Sequence, residues 1–112
     1  MNSELESIMK HQMTDAGLPV MLVDHVFHDE RKWRLDFASP SWMVCMEVEG
    51  GSWVGGRHNR PKGFEDDILK YNEAAIEGWL LVRATTGMVK DGRALSALER
   101  AFEAAGWEKL ME

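Results

Sequence analysis

The sequence has a single cysteine, Cys45, in 112 residues. That excludes an intramolecular disulfide, and a lone thiol inside an apolar run fits a reducing cytoplasm, with Cys45 as a small core residue. No apolar run approaches the roughly 20 residues needed to cross a bilayer, so no membrane role is expected. The first residues, "MNSELESIMKHQM", are acidic and mixed and do not read as a signal peptide. There is no internal repeat, low-complexity tract or linker, and the length suits one domain over 1–112. Excess positive charge is also missing. Thirteen Lys and Arg face nineteen Asp and Glu, a net charge of −6, which disfavours broad, non-specific binding to nucleic acid.

What is present is enough for a core, since 45 % of the residues are hydrophobic. Residues 3–16 carry Leu5, Ile8, Met9, Met13 and Ala16 at helical spacing, ended by Gly17 and Pro19. Strands are expected at 20–27 and 33–38, joined by the charged turn 28–32, and a third, almost continuously apolar, at 42–49. Short turns between them suggest an antiparallel meander. After a long loop, 50–63, come a helix at 64–77, a strand at 79–85 and a helix at 93–105, the last with Leu95, Leu98 and Phe102 on one face. The order α-β-β-β-α-β-α implies an α+β or α/β fold with a mixed central sheet flanked by helices.

Acids interrupt the apolar strands. Glu47 and Glu49 alternate and so share a face of the third strand, and Asp36 lies between Leu35 and Phe37 on the second. In a suitable register the three carboxylates converge at one end of the sheet. Their repulsion requires compensation, and an all-oxygen set suits Mg²⁺ or Mn²⁺.

The stretch that follows, "GGSWVGGRHNRPK", adds paired glycines for sharp turns, His58 for proton transfer near neutral pH, and a basic group in Arg57, Arg60 and Lys62 for phosphate contacts. On the helix at 64–77 the spacing makes Phe64, Ile68, Tyr71 and Ala75 the apolar face. Asn72 borders or joins that face, where a buried amide needs partners. Asp66 and Lys70 stand at i, i+4 as a surface pair, unless Lys70 reaches the acids.

The ordered set "RLDFASP", "CMEVEGG", "GRHNRPKGF" and "DILKYNEAAIEGWLLVRAT" resembles the PD-(D/E)XK nuclease superfamily. Within it, residues 31–85 look most like very-short-patch-repair (Vsr-like) endonucleases and small phage-type relatives. The resemblance implies a restriction-endonuclease-like core. It makes Asp36 the metal-bridging aspartate, Glu47 the second acidic ligand and the Val48 carbonyl a third. Glu49 stands where the superfamily has lysine, so Glu49 takes a second metal, or His58 or Lys70 supplies the missing function. The structural zinc of Vsr-like enzymes is not expected here, since one cysteine cannot build it. A first-helix acid near the metal, as in some members, falls on Glu6 or Glu4.

The expectation is therefore a Mg²⁺- or Mn²⁺-dependent DNA endonuclease in a bacterial or phage-infected cytoplasm, acting on branched, nicked or mismatched DNA in repair, recombination or phage DNA processing. A core of this size leaves little room for specificity elements, so a homodimer or a partner protein is expected. The alternatives are a catalytically inactive nuclease-fold module that binds DNA or protein, and an acidic interaction domain with Trp53 at its contact.

Overall fold

The computed structural model describes residues 3–49 and 61–109, with backbone alone at 61 and 62. In chain order the elements are α1 (Ser3–Asp15), β1 (Leu22–Val26), β2 (Arg34–Ser39), β3 (Val44–Val48), α2 (Pro61–Ile76), β4 (Leu80–Ala84), α3 (Thr86–Lys90) and α4 (Arg93–Ala104). The strands form one mixed sheet in the order β1-β2-β3-β4. β1, β2 and β3 are an antiparallel meander, and β4 joins β3 in parallel. The chain is thus an α+β domain with a four-stranded mixed sheet, as the element pattern suggests.

One face of the sheet carries the larger core. Leu5, Met9 and Met13 of α1, Phe37, Val44 and Met46 of the sheet, and Leu98 and Phe102 of α4 are buried together there. Alternation sends Cys45 to the opposite face, where it joins Leu35, Ala38, Trp79 and Ala74 of α2. The Cys45 thiol is fully buried, and burial, with Glu47 nearby, pushes its pKa up to about 12. It is a core residue and no nucleophile.

Two local features set boundaries. At the end of α1, Gly17 takes φ +73° and Leu18 N–H donates to the Met13 carbonyl at 3.1 Å, closing the helix over the buried Leu18–Met13 contact. The short helix α3 was not apparent in the sequence. Thr85 caps it, its hydroxyl accepting from Met88 N–H at 3.2 Å. Among the described residues no helix is long and apolar enough to cross a membrane.

The expected inner face of α2 is corrected. Phe64 and Ile68 are 60 % and 42 % exposed, and Ala75 is exposed too. The helix meets the sheet through Lys70, Tyr71 and Ala74 instead. Asn72 is likewise exposed rather than a buried amide. Period identifies residues that share a helix face but not what that face meets, and here the buried carboxylates draw a lysine inward.

Candidate functional site

The antiparallel ladder between β2 and β3 runs through Ser39↔Val44, Ala38↔Cys45 and Phe37↔Met46. One step further the register sets Asp36 against Glu47, and side chains take over from backbone. Asp36 N–H donates to Glu47 Oε2 at 2.6 Å, and Val48 N–H donates to Asp36 Oδ2 at 2.7 Å. Each carboxylate thus binds the opposite strand's backbone, and the strands part where the two acids lie. Within a strand a residue's N–H and C=O point to the same side. The Val48 carbonyl therefore faces β2 and Asp36, because its neighbours Glu47 and Glu49 pair with β4 through contacts such as Glu49 N–H to Ala84 O at 2.6 Å.

Lys70 comes to this pair from α2. Its ammonium donates to Glu47 Oε1, and the two side chains are only 16 % and 7 % exposed. Both Glu47 oxygens therefore hold donors. Even so, the Glu47 pKa is raised, first by burial and further by Asp36, against the lowering pull of Lys70. Desolvation outweighs the cation. Among the described residues nothing donates to the second Asp36 oxygen, so Oδ1 of Asp36 is open beside the Glu47 carboxylate, and the pair offers only oxygen donors. Such a set fits a hard divalent ion.

Glu49 has its own cation. Arg83 of β4 grips it with two parallel bonds, Nε to Oε2 and NH2 to Oε1, both 2.7 Å, and Tyr71 O–H donates to Oε1 at 3.2 Å. The Arg83 guanidinium also lies over the Tyr71 ring, 4.4 Å from its centroid. Burial and the charges of Glu47 and Glu49 raise the Tyr71 pKa, so its hydroxyl stays protonated and donates. Three acids share the sheet end, as the sequence suggests, but two form a pair with Lys70 and the third is neutralised by Arg83. No protein-family profile, curated protein or solved structure matches the chain.

Tyr71 and Arg83 escape a reading by sequence. The available signal was Arg83 itself, a charge in the apolar strand "WLLVRAT", in parallel register with Glu47. Glu6 is on α1, which packs into the core on the other face of the sheet, and its carboxylate pairs with Lys10 at 3.0 Å. Glu4 is exposed on the same helix. His58, Arg57, Arg60 and Trp53 lie outside the described residues, as does the side chain of Lys62.

A second group of ligand-type side chains joins the β1–β2 hairpin to α2. Atoms of His28, Glu73 and Glu77 lie within 4.8 Å of one another. His28 Nδ1, however, accepts Arg31 N–H at 3.1 Å. That bond occupies the Nδ1 lone pair, so Nδ1 is not open to a metal.

Proposed function

We propose that the chain is a Mg²⁺- or Mn²⁺-dependent DNA endonuclease with a restriction-endonuclease-like core, of PD-(D/E)XK type. The observation that carries the reading is the junction of Asp36, Glu47 and Lys70 where β2 and β3 part. Two carboxylates and a largely covered lysine converge there, at the sheet end from which the glycine-rich basic segment departs. Asp36, Glu47 and the Val48 carbonyl would hold the ion. When bound, it supplies charge to a phosphate oxygen and acidifies a water. Lys70 takes the role of the motif lysine that Glu49 displaces, keeping positive charge beside the attacked phosphate. Glu49 holds Arg83 and Tyr71 in place. His58 is the candidate for proton transfer, and Arg57, Arg60 and Lys62 for phosphate contacts. Branched, nicked or mismatched DNA remains the proposed substrate class.

The test is cleavage of such DNA structures in Mn²⁺. Asp36→Ala and Glu47→Ala should each abolish cleavage while the circular dichroism spectrum is retained. Lys70→Ala should lower the rate at saturating metal by about 10²-fold or more, and Glu49→Ala by less. Near-normal cleavage by either acid variant would refute the site.

A second reading has one observation in its favour. Lys70 and Arg83 already pair with Glu47 and Glu49, so each glutamate has a cation within the chain, as an inactive module would require. Thermal melts separate the two. An ion bound only to the fold stabilises it by about 2.7 kcal/mol at a hundred times Kd. Coincident melts in EDTA and in millimolar Mn²⁺ would leave the inactive module standing.

A further inference from the structure

Seen from solvent, the outer face of α2 carries four exposed apolar residues, with Glu65 and Asn72 among them. Phe64, Ile68, Leu69 and Ile76 are 60 %, 42 %, 46 % and 77 % exposed. At about 100° per residue they fall within one arc on the side away from Lys70 and Ala74. Scattered exposed apolar residues are ordinary, but four on one face of one helix form a patch. The patch continues into a cleft of about 450 Å³ between α2 and the β1–β2 hairpin, lined by Leu69, Ile76 and Trp33 among others.

Acids outnumber bases around this patch. Glu65 lies within the arc, Glu73 edges it along the cleft with Glu30 on the hairpin wall, and Glu77 is one turn beyond Glu73. His28 and Arg31 also line the cleft, and Arg31 and Lys70 have partners of their own. Lys70 turns inward to Glu47, and Arg31 is held 3.8 Å from Asp66 and stacked 4.4 Å from the centroid of a Trp33 ring. A second copy of this face would bring acid against acid.

We propose that the outer face of α2 is a docking surface for a cationic amphipathic helix of a partner protein, whose apolar side chains cover Phe64, Ile68 and Ile76 and whose lysines or arginines meet Glu65, Glu73 and Glu77. The mode is a helix laid on an apolar surface, with charge fixing partner and orientation. The surface lies on the outer side of α2, away from the Asp36–Glu47 pair, so a partner seated there leaves the sheet end open. The proposal stands whether or not the chain cuts DNA.

The probe is a labelled helical peptide of leucine and lysine with one apolar face, titrated with the full chain and read by fluorescence anisotropy. Two controls accompany it: a peptide of the same composition scrambled to destroy the apolar face, and a leucine–glutamate helix. The amphipathic cationic helix should bind about tenfold or more tightly than the scrambled one, and the acidic helix should not bind. Ile68→Ser with Ile76→Ser should remove that margin, and Glu65→Lys with Glu77→Lys should weaken binding while the melting temperature is retained. Equal binding of the scrambled peptide would reduce the effect to bulk charge and overturn the proposal. So would unchanged binding by the serine variant. Self-association of the wild type that the serine variant abolishes would also overturn it, since the face would then belong to a second copy.

Discussion

α2 and α4 pack on opposite faces of the same sheet and use their apolar residues in opposite ways. α4 buries Ala94, Leu98 and Phe102 and turns its charges to solvent. α2 buries Ala74, turns Lys70 and Tyr71 inward to two glutamates, and leaves Phe64 and Ile76 outside. The difference lies in what each helix meets. α4 meets strand residues that are all apolar, such as Val44 and Met46. α2 meets the face on which Cys45 is followed by Glu47 and Glu49, and buried carboxylates require donors more than they require methyl groups. A helix over a charged floor therefore has a polar inner side, and its remaining apolar residues face outward.

The largest expected effect tests that contrast directly. Phe102→Ala removes a fully buried ring from the main core and should cost about 3 to 5 kcal/mol in urea denaturation. Phe64→Ala, also a phenylalanine on a helix, should stay within about 0.5 kcal/mol of wild type. Comparable losses would mean that Phe64 is covered in the folded chain.

How far the sequence reveals this molecule follows the same division. The helix at 93–105 and the strands at 33–38 and 42–49 are legible, because their periods report burial against an apolar floor. Asp36 and Glu47 are legible as a pair because a charge between apolar neighbours in a strand has no ordinary surface explanation. The role of Lys70 stands only as one option, since reach across a helix–sheet interface has no signature in spacing. The partners of Glu49 depend on β4 lying parallel to β3, which brings Arg83 beside it from 34 positions away. Local sequence carries no trace of that register. α3 is a single capped turn and a half, too short for any period to show.

A smaller effect probes the charged floor of α2. Glu47→Gln keeps an acceptor for Asp36 N–H but leaves Lys70, whose side chain is 16 % exposed, without its carboxylate. In EDTA the loss should be about 3 kcal/mol, the low end for breaking a buried pair, because the Lys70 side chain is not fully buried. Glu47→Gln combined with Lys70→Met should recover most of that loss, since removing both charges also removes both desolvation penalties. If the double variant is no more stable than Glu47→Gln alone, Lys70 does not depend on Glu47, and the account of the inward-turned lysine fails.

The smallest expected effect is a slope with pH. Burial holds the Glu47 carboxyl above its ordinary value of 4.5 in the fold, with Lys70 only partly opposing it. A folded state that binds its proton more tightly than the unfolded chain gains stability from that group at low pH. The gain is complete below the ordinary carboxylate value and is lost as pH rises through the raised, folded value. Exposed Asp91, which accepts from Arg93, has a lowered pKa and acts in the opposite sense. The Glu47 contribution is therefore isolated by difference. Metal-free wild type and the Glu47→Gln, Lys70→Met double variant should be melted across the range from the ordinary carboxylate value upward. The wild type should lose melting temperature relative to the double variant as pH rises, and saturating Mn²⁺ should abolish that relative slope by favouring the ionised carboxylate. A difference that is flat with pH in EDTA would mean that Glu47 is ionised as readily in the fold as outside it, and that Lys70 fully offsets the burial of the carboxylate.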